Sequence, residues 1–145
     1  TKQVLAYFQE YFGFNERQTV AIMGAHNLGS AHPDISGFTG SWVHQNDILT
    51  SSYYHNLVDP NWNQTLLSST KKWQWELNGL MMLNSDVALV REFEVDNEGN
   101  APGEASCPFV DSSGATLTCP FATRTNKSVE QYKDNENLWL QDFRD

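Results

Sequence analysis

His26 is the first side chain in this 145-residue sequence that invites a chemical reading. Histidine titrates near neutrality and is the commonest metal ligand. Here it falls in the last turn of an apolar segment, Ala21-Ile22-Met23-Gly24-Ala25-His26-Asn27-Leu28-Gly29. Gly24 and Ala25 are small enough to leave room for something to approach that turn. Gly29 stops the helix, a second histidine, His32, follows six residues on, and Trp42 follows sixteen residues on. Taken singly, each residue has a plainer reading: a core histidine, a core tryptophan at 42, and a helix cap at Asp86. His44 and His55 read as surface or loop histidines without a role.

The elements that would carry these residues can be traced from periodicity and capping. Val4, Leu5, Phe8 and Phe12 are at helical spacing ahead of Gly13, which predicts a first helix over Lys2 to Phe12. Asn15 with Gln18 forms a capping-box signal, and Glu16 complements the helix dipole, so a second helix is expected from Glu16 to Leu28. Residues 29 to 50 are irregular, and Ser51 to Val58 form a short helix closed before Pro60. The alternation in Lys72-Trp73-Gln74-Trp75-Glu76-Leu77, the Asn78-Gly79 turn and Leu80-Met81-Met82-Leu83 predict one β-hairpin, packed by Trp73 and Trp75. Asn84 or Ser85 then caps a short helix with Asp86 in its first turn. A last helix begins at a Ser128/Gln131 capping box and carries Val129, Tyr132, Leu138, Trp139 and Phe143 as its apolar stripe. The expected fold class is mainly α with one small hairpin.

A hydrophobic content of 39%, with 5 Trp, 5 Tyr and 8 Phe, suits a folded chain rather than a disordered one. The balance of 18 acidic to 9 basic residues gives a formal charge of -9, which disfavours nucleic acid and anionic membrane as partners. No run approaches a membrane span. Cys107 and Cys119 are too few for a closed metal site, and a disulfide stapling the loop over residues 92 to 124 is the simpler reading, with a strand on either side of Ser113-Gly114. The sequons at Asn63 and Asn126, together with that pair, favour a secreted, glycosylated protein.

Gly24-Ala25-His26-x-Leu28-Gly29 followed by Ser36-Gly37-Phe38-x-Gly40-x-Trp42 resembles the proximal segment of class I haem peroxidases, the group of cytochrome c peroxidase and ascorbate peroxidase. Tyr53-Tyr54-x-Asn56-Leu57, Trp62, the Trp75 region and Met81-Met82-Leu83-x-x-Asp86 continue the resemblance in order. It runs from about Val4 to Val90, is weakly regained near Tyr132 to Phe143, and covers the C-terminal, proximal half of that family's fold. By this resemblance residues 1–145 are one proximal half-domain. His26 would be the axial ligand of the iron of one haem b. Asp86 would accept a hydrogen bond from the ring's other nitrogen, and Trp42 would lie beside the ring and donate its indole N–H to Asp86. Leu28, Gly29, Ser30, Trp42 and Leu83 would line the haem, and His32 and Ser36 would contact a propionate. Ser30 stands where the family often has a basic residue. Asn27, Val43, Gln45 and Thr50 depart from the cation-site ligands of ascorbate peroxidase, so no metal is expected there.

Peroxide turnover needs a distal acid-base group and an electrostatic partner for the departing charge. Nothing in this sequence resembles that distal helix, so the chain alone is expected to be inactive. The resemblance places the distal half in a companion chain separated by cleavage ahead of Thr1, with a longer parent chain or a half-domain of other function as alternatives. The activity implied is reduction of hydrogen peroxide coupled to one-electron oxidation of a donor. Rival readings are a non-catalytic secreted binding or structural module, and a haem carrier or sensor.

Overall fold

The computed structural model describes residues 1–107 and 119–145. Helix α1 (Lys2–Phe12) ends at Gly13, whose φ of 72° is a left-handed conformation open to glycine. Its inward edge is used up by Val4, Leu5 and Phe8. Phe12, expected on that edge, is instead 57% exposed and packs against Phe8 and Phe14. Helix α2 (Glu16–Met23) starts at the expected capping box, in which Gln18 N–H donates to Asn15 Oδ1 and Asn15 N–H donates to Gln18 Oε1.

The α-helix does not run on to Leu28. It tightens into a 3₁₀ turn over Gly24–Asn27, which places His26 and the buried Asn27. Space around the first residue of this turn is tight. A Cβ on Gly24 would come within 2.5 Å of the Tyr54 hydroxyl and 2.6 Å of Trp139 Nε1. The small residue at 24 therefore makes room for this chain's own rings rather than for an incoming ligand.

After the loop comes α3 (Ser52–Leu57), with Tyr53, Tyr54 and Leu57 buried. The expected hairpin is present as β2 (Trp73–Leu77) and β3 (Leu80–Met82), joined through Asn78 and Gly79 with φ of 50° and 78°, the two positive values that a type I′ turn demands. It is part of a larger sheet. β1 (Asn63–Leu66) pairs antiparallel with β2 in the order β1-β2-β3, with Gln64 opposite Trp75. This segment reads as polar loop in sequence because an edge strand exposed to water needs no apolar alternation.

Helix α4 (Asn84–Val87) follows, with Leu83 rather than Asn84 or Ser85 at its cap position. The segment from 92 to 124 is not merely loop. β4 (Glu94–Asp96) and β5 (Glu104–Ser106) pair antiparallel, and the Gln64 side chain clamps the Ala105 backbone by donating to its carbonyl and accepting from its N–H, both at 2.7 Å. Cys107 and Cys119 form the expected disulfide. The strands expected beside Ser113-Gly114 lie outside the described residues.

The last helix is two. α5 (Asn126–Asp134) begins ahead of Ser128, and α6 (Glu136–Arg144) begins afresh at Asn135, whose side chain accepts from Leu138 N–H. The described residues thus form six helices and two small antiparallel sheets, a more mixed architecture than the mainly helical one expected. None of those helices is long and apolar enough to cross a membrane. Trp139, Tyr132, Tyr54, Trp62 and Leu57 are fully buried and tie α2, α3, α5 and α6 into one core.

Candidate functional site

The 3₁₀ turn, the loop carrying Trp42, α3 and the start of α4 meet at Asp86. Its side chain is wholly buried and is met by four donors. Oδ1 faces His26 Nδ1 at 2.7 Å and accepts from the Tyr53 hydroxyl at 2.6 Å. Oδ2 accepts from Trp42 Nε1–H at 2.8 Å and from Leu83 N–H at 2.8 Å. An ionised carboxylate offers about four lone-pair positions, so this one is saturated. Its place in the first turn of α4 also suits a negative charge. Trp42 stacks on His26, ring centroids 4.2 Å apart and planes 13° from parallel.

The saturated carboxylate decides the state of the imidazole. Trp42 Nε1–H and Leu83 N–H can only donate and an ionised carboxylate can only accept, so the Tyr53 hydroxyl and His26 Nδ1 each carry the hydrogen they share with it. In the neutral ring the lone pair then belongs to Nε2, which has no partner among the described residues. The His26 side chain keeps 30% of its surface exposed although Nδ1 is tied inward. Burial works against the charged imidazole, but the Asp86 hydrogen bond and charge outweigh it and hold the His26 pKa above the usual 6.5. Burial, with the Asp86 charge and hydrogen bond, pushes the Tyr53 phenol well above its ordinary value, so it remains a donor.

Histidine, tryptophan and carboxylate in this arrangement fit a ligand whose basicity is raised from behind. No family model matches the chain. A mitochondrial cytochrome c peroxidase of Aspergillus fumigatus is 37% identical over 128 residues, covering 83% of this chain. Those of Neurospora crassa and Candida glabrata are 40% identical over 81 residues and 36% over 85. The chain is homologous to fungal cytochrome c peroxidases. It spans 34%, 23% and 24% of the length of these three relatives.

In this peroxidase homologue the structure brings together three of the residues singled out in the sequence, His26, Trp42 and Asp86, with the Leu83 backbone as a fourth element. The remaining candidates lie apart from that cluster, along the segment after His26. Leu28 is 42% exposed, and Gly29, Ser30, His32 and Ser36 are exposed too. Their bonds are local: Gly29 N–H donates to Asn46 O, Ser30 and Ser41 share a hydroxyl bond of 2.8 Å, and the Ser36 hydroxyl donates to His32 O. Ala31 and Gly40 bridge the base of the loop. The donor chemistry fits a haem: one imidazole with its free nitrogen on the open side, beside an apolar residue and an exposed polar rim. Among the described residues no cluster of three or more His, Cys, Asp or Glu side chains could hold a bare metal ion.

Two contributors were not legible as site residues. Tyr53 reads as an apolar face residue of a short helix, and only the fold aims its hydroxyl at Asp86. Asn27 reads as the neighbour of a histidine, yet its buried amide donates to Ile48 O and accepts from Tyr53 N–H, which ties the His26 turn to α3. Of the two sequons, Asn63 is exposed in β1 and Asn126 is half-buried in the first turn of α5.

Proposed function

We propose that this chain is the proximal half of a haem peroxidase, with His26 Nε2 as the axial ligand of haem iron. The observation that carries this is the buried Asp86, which holds the His26 Nδ1 proton while Trp42 stacks on the ring. Homology to cytochrome c peroxidases supports it. Bound haem would supply the iron at which hydrogen peroxide is reduced to water and from which a donor is then oxidised by single electrons.

Within the chain each residue has a defined task. His26 presents a lone pair in a fixed direction. Asp86 holds the opposite proton and enriches the ring in electron density, which favours oxidised over reduced iron. Trp42 anchors Asp86 and closes one face of the imidazole against water. Leu28, Gly29, Ser30 and Leu83 would border the cofactor, and His32 and Ser36 would meet its propionates. The distal acid-base residue and its electrostatic partner would come from a companion chain or from another part of a longer protein. An extracellular setting is supported by the Cys107–Cys119 bond.

The deciding experiment is the visible spectrum of the native material, with any associated chain retained, before and after peroxide. A Soret band that is lost in His26→Ala and shifts on peroxide addition is expected. A protein that takes up no haem even when it is supplied would overturn the reading and leave a non-catalytic peroxidase-like module.

A further inference from the structure

Asp86 carries more donors than orienting His26 requires. Trp42 and the Leu83 backbone already fix Oδ2, and His26 needs only Oδ1. Tyr53 adds its hydroxyl to that same Oδ1 at 2.6 Å, as short as any contact the carboxylate makes. A hydrogen bond to an ionised carboxylate stabilises its charge and lowers its basicity. Two donors sharing one oxygen therefore compete for it. The stronger the phenol's hold, the weaker the pull on the His26 Nδ1 proton.

We propose that Tyr53 is a positioning residue that limits the pull of Asp86 on the His26 Nδ1 proton and so lowers the electron-donor strength of Nε2 towards a metal. Its consequence for a metal rests on His26 being the ligand proposed above. The geometry gives the hydroxyl no freedom to do otherwise. Tyr53 is fully buried, its ring stands edge-on to His26 at 6.0 Å, and its N–H is held by Asn27, the residue after His26. The next residue offers a built-in contrast, since the Tyr54 hydroxyl points to Val20 O and does not touch Asp86.

A plain structural role, in which Tyr53 only satisfies a buried hydroxyl, predicts different results. The test compares Tyr53→Phe with Tyr54→Phe in the full chain. In the unloaded protein, the His26 Nδ1–H proton resonance should move downfield in Tyr53→Phe and stay in place in Tyr54→Phe. With iron protoporphyrin IX bound, Tyr53→Phe should lower the ferric/ferrous midpoint potential and raise the iron–histidine stretching frequency. A 3,5-difluorotyrosine at position 53 keeps the ring and strengthens the donor, so it should move each readout the opposite way, which covers the case of a Phe variant that folds poorly. An unchanged Nδ1–H resonance in Tyr53→Phe and in the difluorotyrosine protein, or equal changes in the two Phe variants, would overturn the proposal. Failure of the parent to bind iron protoporphyrin through His26 would overturn the ligand assignment instead, while the resonance in the unloaded protein would still decide the role of Tyr53.

Discussion

The two edges of His26 are built on opposite plans. The inner edge is closed: Nδ1, Trp42, Tyr53 and Leu83 all converge on one buried carboxylate. The outer edge is open: Nε2 has no partner among the described residues, and the segment that follows in sequence, with Leu28, Gly29, Ser30, His32 and Ser36, is exposed and bonds chiefly to its own loop. A buried charge is tolerable only when every lone pair is met, so the inner side has to be complete before anything binds. The outer side has no such demand. This chain therefore holds the inner edge of its histidine with its own groups and leaves Nε2 without a partner among the described residues, open to the ligand proposed above.

If that division is real, damage to the inner edge should appear as lost stability without any ligand present. The largest effect is expected for Asp86→Asn. Its amide would turn donors towards two of the four donors already there, and disrupting a buried charged network costs about 3–5 kcal/mol. Urea denaturation of the unloaded protein checks this, and a loss below about 1 kcal/mol would remove the case for a preassembled inner edge. Gly24→Ala comes next, because its Cβ meets the buried Trp139 ring, whose indole N–H is bonded to Ala21 O at 3.0 Å. Overpacking of this kind costs about 1–3 kcal/mol, to be read from thermal unfolding. Trp42→Phe keeps most of the stacked surface but strips one donor from Asp86. It should cost about 1–3 kcal/mol by the same measurement, with the His26 Nδ1–H resonance moving downfield as the carboxylate regains basicity.

The inner edge was partly legible in the sequence, and the reasons differ by residue. His26 and Asp86 are 60 positions apart, so no local spacing links them. Family resemblance paired them, and the fold supplies the 2.7 Å contact. Tyr53 and Tyr54 look equivalent as neighbouring tyrosines in the sequence, yet adjacent positions on a helix point about 100° apart. One hydroxyl therefore reaches Asp86 while the other reaches Val20. The Asn78-Gly79 turn was readable because its backbone demands those residues. The break between α5 and α6 was not, because the apolar stripe continues across Asn135 and an asparagine can sit in a helix or start one. β1 was missed for the converse reason: its pairing with β2 relies on backbone groups, which leave no mark on residue type.

The smallest effect separates the two edges most cleanly. His32→Ala removes an exposed side chain on the open side, and exposed substitutions of this kind usually change stability by less than about 0.5 kcal/mol. Unfolding of the unloaded protein should therefore match the parent. If His32 meets a propionate, the same variant should bind iron protoporphyrin IX about ten- to a hundredfold more weakly, since a hydrogen bond to a charged group is worth about 1.5–3 kcal/mol. Titration followed at the Soret band measures this. Weaker binding at equal stability would mark the rim as a ligand surface. Unchanged binding would confine recognition to His26 and its neighbours. Lost stability in the unloaded protein would mean that His32 supports the loop from Gly29 to Gly40, and the contrast between a closed and an open edge would then be drawn in the wrong place.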